Sequence, residues 1–418
     1  MPTDKKAAAL PPSGTTTLRF FEKLTTACVY AFVLSYTVSK AMIEVSFTVG
    51  LISWLITKII KKGFLRLPWS GMLGALALFV GLSVSSAFVS QYMSQSIHGI
   101  GKHLEEVLFF IIIADTFRSR KKIRKLLLMG LAVLVVTALD AVFQLGTGRD
   151  FLRGRAASYV DDRIRLVGPF KEHSAFASYL IGWLTILLAF FLNPDYRSAR
   201  NKVLMAIVLA LGGLCLFHTQ ARGAWLAFAF SILFFSVIQK KKLLLGVLLV
   251  SVAAGLLILP RNMIIHPDAE GKEQSMVERL VLWDRAVDVI KARPWLGTGI
   301  NTYAVAHQQF DKEKSWRVKN YYAHNSFLQL AADRGLPALF SFLAFIVLFF
   351  RQAFLVIRKT GDPERSSLLQ GVMTGLTGLF ALSLVDTVFE PLQTGMLLWF
   401  LFGLGFAAMY VNGEEKGA

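Results

Sequence analysis

The chain has 418 residues, of which 55% are hydrophobic before any glycine is counted and only 17% are charged. Soluble domains reach ~45–50% with glycine included, and a mean hydropathy of +0.54 excludes a string of soluble domains in favour of an integral membrane protein. The formal net charge of +18 then reads as loop charge facing the cytoplasm and membrane lipids, so no nucleic acid is expected as a partner.

A spanning helix needs roughly 20 mostly apolar residues. Twelve such segments follow in chain order, at about 21–39, 41–60, 71–90, 102–117, 126–145, 173–192, 203–218, 223–239, 243–260, 336–357, 368–387 and 392–411. The expected fold is an all-α polytopic membrane protein with about 12 transmembrane helices and a large, partly helical periplasmic loop. It divides into 1–260, holding helices one to nine and a basic periplasmic loop at 146–172; 261–335, the large loop; and 336–418, holding helices ten to twelve. Leu24 to Ser39 follows a polar, basic start with no small-residue cleavage site, so it reads as a helix and not a cleaved signal. Cys28 and Cys215 both lie inside apolar runs, which implies neither a disulfide framework nor a thiolate metal site.

Loop charge sets the orientation. Basic groups recur in every second loop, as at Lys58, Lys61, Lys62 and Arg66, through Arg118 to Lys125, and at Lys240 to Lys242, whereas the short turns between hold only Lys40, Lys102 and Arg222. The positive-inside rule then puts both termini in the cytoplasm. Two outside loops depart from that pattern: 146–172 is rich in arginine, and 261–335 holds eleven Lys and Arg. Long loops cross regardless of charge, and a basic exterior fits an anionic ligand as well as it fits lipid headgroups.

Within the large loop, Gln274 to Ala292 reads as a helix stopped by Pro294, Gly297 and Gly299. At ~100° per residue, Met276, Leu280, Trp283, Ala286, Val287 and Ile290 make one apolar arc with Arg279 in its middle, and Arg285 falls opposite with Glu278, Asp284 and Asp288. An unpaired buried charge is costly, so Arg279 is expected to face a partner or a polar cavity and Arg285 to be solvated. A second short helix is expected to start at Asn325, a good N-cap, and to end before Gly335 and Pro337, leaving His324 beside the positive end of its dipole.

Several chemistries are argued against. There is no phosphate-binding Gly-x-x-x-x-Gly-Lys-Ser/Thr loop and no His-Glu-x-x-His, and the seven histidines are scattered, so neither a metal nor a cofactor is expected. Gly297-Thr298-Gly299 follows a helix and not a strand, which makes it a turn and not a dinucleotide loop. Glu44, Glu105, Glu106, Asp140 and Asp386 are read as sitting near helix ends, leaving no row of buried acids for an ion-coupled pump. Arg222, in Thr219-Gln220-Ala221-Arg222-Gly223, has the alternative of snorkelling to headgroups. A histidine at an interface, such as His324, is commonly structural.

Together these pieces fit a pattern. His324-Asn325, nine residues, then Gly335 resembles the His-[Asn/Ser/Gln]-x9-Gly-x-x-[Gly/Thr/Tyr] signature of bacterial O-antigen ligases, with Ala338 departing at its last position. Ala323 to Gln329 and Asp333 to Pro337 resemble the shared core of the ligase and O-antigen polymerase superfamily. Thr219 to Ala224 resembles its second signature; Glu278-Arg279, Trp283 and Pro294 to Gly299 its third; and Arg165 to Phe170 a fourth. The resemblance covers about 160–345. It implies an inverting, metal-independent glycosyltransferase in a Gram-negative inner membrane, with a periplasmic active site. The donor it implies is a glycan on undecaprenyl pyrophosphate, and the acceptor a sugar hydroxyl of lipid A–core oligosaccharide. On that reading His324 is the general base or orients the acceptor, Arg222 and Arg279 clamp the pyrophosphate, and Arg165 and Asn325 are further substrate-binding candidates. An O-antigen polymerase, or a polytopic exporter or flippase without chemistry, is the alternative.

Overall fold

The computed structural model describes residues 12–63, 67–68, 70–160, 163–195, 198–249, 273–310 and 321–411. In chain order the helices are α1 (Pro12–Ser35), α2 (Lys40–Ile60), α3 (Gly71–Ala87), α4 (Met93–Thr116), α5 (Arg120–Thr147), α6 (His173–Phe191), α7 (Ala199–His218) and α8 (Arg222–Ile238). After the gap come α9 (Glu273–Ala292), α10 (Tyr303–Ala306), α11 (Ser326–Arg334), α12 (Leu336–Lys359), α13 (Pro363–Ser383) and α14 (Leu392–Met409).

This is a multi-pass, helical membrane protein. By length and composition, six of the described helices can cross a bilayer: α2, α5, α6, α7, α12 and α14, with α3 and α8 apolar but shorter. Helices also stand at the expected first, fourth and eleventh segments, as α1, α4 and α13, but they carry more polar residues than a plain span. Most of the expected ninth segment, 243–260, lies outside the described residues. The count of twelve thus rests on hydropathy alone.

Burial separates central from peripheral helices. The most apolar window of α14 is 94% buried and that of α6 83%, against 17% for α7 and 28% for α12. Helices all of whose faces are apolar and covered belong at the centre, whereas α7 and α12 turn apolar faces outward, as lipid allows. Glycines let α13 approach α6: a Cβ on Gly371 would come within 2.6 Å of the Ile186 Cα, and one on Gly378 within 2.6 Å of the Ile181 side chain. Small residues at such spacing are how membrane helices gain dispersion contact without a hydrophobic driving force. Where α12 meets α14, aromatic side chains fill the gap, as with Phe349 and Phe402 edge to face at 4.9 Å.

One local element was not expected and one sequence expectation needs correction. Beside the helices, Ser158–Val160 and Arg163–Arg165 form a short antiparallel hairpin, β1 and β2, with Tyr159 opposite Ile164. Strands of three residues carry too little alternation to be seen in a sequence. The acids are not all at helix ends. Glu106 lies inside α4 and Asp140 inside α5, both buried. Asp140 Oδ1 accepts from the amides of Phe151 and Leu152, so this carboxylate folds the start of the 148–172 loop back onto its helix.

The site end of the bundle is set by backbone packing around α11. Asn325 caps it as expected, its Oδ1 accepting from the amides of Phe327 and Leu328. Gly335 ends it at φ +84. The turn after α9 lies directly on this end: Thr298 donates to the Ala332 carbonyl, Gly299 to the Asp333 carbonyl and Leu336 to the Pro294 carbonyl. A Cβ on Gly335 would fall 2.1 Å from the Trp295 carbonyl oxygen, so only glycine permits this contact.

The docked face of α9 differs from the predicted arc. Leu282, Arg285, Ala286 and Val289 are the buried positions, packing with Tyr303, Ala323 and Ala332, whereas Leu280 is 51% exposed. Arg285, expected in solvent, is 4% exposed, with Nη1 3.4 Å from His307 Nδ1. Tyr303, whose hydroxyl donates to the Leu282 carbonyl, selects this face. Tertiary partners on the same loop override the local apolar moment.

Candidate functional site

Four separate connections converge at this end. The hairpin leans on the α7–α8 turn: Leu166 donates to the His218 carbonyl, Gln220 Nε2 to the Ile164 carbonyl, and Arg165 Nε to the Thr219 carbonyl at 3.1 Å. Gln220 takes φ +52 to turn the chain so sharply. Arg222 follows as the first residue of α8, exposed, with Ala221 at the N-cap and no side-chain cap. A cation at a helix N-terminus opposes the dipole, so helix stability does not account for an arginine here.

Arg165 carries the geometry further. Its Nη2 lies 2.6 Å from His173 Nε2, at the start of α6. Arginine only donates, so His173 Nε2 accepts and its ring is not doubly protonated. Burial lowers the Arg165 pKa, the Asp386 carboxylate raises it, and the nearby Arg222 charge lowers it. Arg165 therefore lies near both Asp386 and Arg222, and the α8 start packs on the residue before Asp386, since a Cβ on Gly223 would come within 2.9 Å of the Val385 side chain.

Asp386 belongs to the connection between α13 and α14. Its Oδ1 is 3.4 Å from His324 Nδ1, the side chains being 22% and 34% exposed. Burial alone raises a carboxyl pKa. At Asp386 that push is outweighed by hydrogen bonds from His324 and the Thr387 amide and by the charges of His324 and Arg279, leaving the carboxyl below its usual value. Arg279 thus faces this group from α9, although through a half-buried position and not the buried arc expected of it. His324 itself has φ +49, a conformation uncommon outside glycine. With Nδ1 turned to Asp386, its Nε2 is the ring nitrogen left to act on a ligand.

The structure accordingly brings His324, Arg165, Arg222 and Arg279 to one end, around Asp386. Asn325 is placed differently: its side-chain oxygen is taken by the α11 cap. His173 and Asp386 are the members that sequence reasoning did not select. Asp386 was legible as an acid at a helix end, but its pairing with His324, 62 positions away, is visible only in three dimensions. An arrangement of arginine forks beside a His–Asp pair can neutralise a phosphate-bearing leaving group and take a proton from a hydroxyl.

Fold and site together define a multi-pass membrane protein with a cationic, histidine-bearing cluster at one end of its bundle. The O-antigen ligase family profile matches residues 206–343. That stretch carries Arg222, Arg279 and His324, and it is similar to the O-antigen ligase family. The exopolysaccharide production protein ExoQ of Rhizobium meliloti is 28% identical over 145 residues, covering 32% of this chain and 32% of ExoQ. The chain thus matches about a third of the length of that curated relative.

Proposed function

We propose that the protein is an O-antigen ligase, an inverting and metal-independent glycosyltransferase that moves a glycan from undecaprenyl pyrophosphate to a sugar hydroxyl of lipid A–core in lipopolysaccharide biosynthesis. The observation that carries this reading is the convergence of Arg165 and Arg279 on the His324–Asp386 pair, with Arg222 beside Arg165. On this reading the site lies on the periplasmic face of a Gram-negative inner membrane and both termini are cytoplasmic.

The chemistry follows from the groups present. Arginine forks bind the pyrophosphate and stabilise the charge it gains as the sugar–oxygen bond breaks. Pyrophosphate so neutralised is a good leaving group, and no nucleotide is consumed. His324 Nε2 takes the acceptor hydroxyl's proton while that oxygen attacks the anomeric carbon from the opposite face. Asp386 holds the ring in the required tautomer and stabilises the imidazolium that forms.

A second reading, an O-antigen polymerase that uses a lipid-linked glycan as acceptor too, has two supports: Ala338 departs from the ligase signature, and the relative's name refers to exopolysaccharide production. The lipopolysaccharide profile of a deletion strain separates the two. Core without O-chain, with polymerised lipid-linked glycan accumulating, is the ligase outcome; core bearing one repeat is the polymerase outcome. An unchanged profile refutes both.

A further inference from the structure

Behind the site, α4 and the connection from α13 to α14 enclose a second group of polar and titratable side chains. Lys102, His103, Glu106, Asn301, Asp333, Arg334 and Glu390 border a cavity of about 20 Å³, room for a water molecule or two. His103 is 3% exposed, Glu106 5% and Glu390 8%. Among the described residues, His103 Nε2, Glu106 Oε1, Arg334 Nε and Glu390 Oε2 are buried and lack a hydrogen-bond partner. Unpartnered buried polar atoms are costly, and the cavity beside these four is large enough for water to reach some of them.

The same group grips the connection that carries Asp386. Lys102 Nζ donates to the Glu390 carbonyl. Glu106 lies against the first turn of α14, where a Cβ on Gly395 would come within 2.2 Å of its Oε1. At the other end of the connection Ser326 Oγ donates to the Asp386 carbonyl at 3.3 Å and accepts from the Val388 amide at 2.8 Å. Ser326 is also the first residue of α11, two positions after His324. One hydroxyl therefore ties Asp386 to the His324 segment, and one ammonium ties the far end of the same connection to α4.

We propose that Lys102, at the edge of this chamber, is a positioning residue that holds the 386–390 connection so that Asp386 meets His324. The inference rests on the proposed transfer reaction, because its readout is the turnover that the His324–Asp386 pair supports. Losing the lysine's hold lets the connection shift, and a misplacement of about 1 Å can cost about a hundredfold in rate. Donor binding depends on Arg165, Arg222 and Arg279, which the chamber does not hold.

The test uses full-length protein in liposomes, a lipid-pyrophosphate-linked glycan as donor and lipid A–core as acceptor. Lys102→Met is expected to lower kcat about a hundredfold with the KM for donor unchanged, and Lys102→Arg, which keeps a donor, to recover most of it. Ser326→Ala is expected to lower kcat likewise. A folded Lys102→Met protein with wild-type kcat, or one whose loss lies in KM, overturns the assignment. If Lys102→Met does not accumulate, Ser326→Ala and Lys102→Arg decide: wild-type kcat in Ser326→Ala, or a Lys102→Arg no better than an unreactive His324→Ala, overturns it. Wild-type protein that forms no product refutes the transfer reading itself, a separate outcome from a Lys102 variant that matches an active wild type.

Discussion

Gly335→Ala tests the contact that fixes α11, and with it His324, against the turn after α9. The added methyl meets the Trp295 carbonyl oxygen at 2.1 Å, where ordinary contact begins near 3.4 Å, so the two backbones must part by more than an ångström. That movement breaks or stretches three hydrogen bonds: Thr298 to Ala332, Gly299 to Asp333 and Leu336 to Pro294. Each contributes about 1 kcal/mol net. Holding a residue with a Cβ at φ +84 adds about 1–3 kcal/mol. The expected cost is about 4–6 kcal/mol, which lowers the melting temperature of the detergent-solubilised protein by about 5–7 °C or prevents accumulation. Gly361→Ala is the control, because nothing lies within 4 Å of its Cβ position; it should melt within about 1 °C of wild type. A Gly335→Ala protein that melts with wild type would show that the α9 turn does not rest on α11 as described.

Arg222→Lys should lose most transfer activity, because lysine offers no bidentate fork; near-normal transfer would mean that Arg222 only anchors α8 at the headgroups. Arg279→Ala should lose transfer in a protein that melts normally, whereas Arg285→Ala, which empties a position only 4% exposed, should instead lower the melting temperature by several degrees; equal melting of the two variants would contradict the assigned face of α9. Asp386→Asn should reduce kcat by about tenfold or more without changing donor KM, and a normal kcat removes Asp386 from the mechanism. The Asp386 pKa is depressed on folding, so its stabilising contribution is complete above the ordinary carboxylate value of ~3.9 and disappears as pH falls through the lower folded value. The melting-temperature gap between wild type and Asp386→Asn should therefore hold from pH 7 to about 5 and close only in stronger acid; a gap closing near neutrality contradicts the shift.

Much of the architecture was legible because it depends on local chemistry. Apolar runs mark helices whatever surrounds them, and the Asn325 cap and the Gly335 stop are properties of single residues. The α9 helix was legible in extent but not in orientation. Tyr303 and Ala332 come from elsewhere in the chain and bury Arg285, a choice that the helix's own periodicity cannot contain. The site was half legible. Arg222, Arg279 and His324 stand in recognisable spacings, whereas Asp386 and His173 enter through long-range pairs to His324 and Arg165. The start of α4 was misplaced for a related reason: Lys102, His103 and Glu106 lower the hydropathy there, so Lys102 was read in a turn and Glu106 near a helix end, whereas both lie inside the helix, against the α13–α14 connection.

The most direct measurement is glycan transfer by purified protein in liposomes, with a lipid-pyrophosphate-linked glycan as donor and lipid A–core as acceptor, comparing wild type with His324→Ala. Glycosylated core should form with wild type in the presence of a chelator, and His324→Ala should form none while binding donor as tightly, since the arginines hold the pyrophosphate. A His324→Ala protein with weakened donor binding and normal turnover at saturating donor would contradict the account, making His324 a binding residue and leaving the proton without an acceptor.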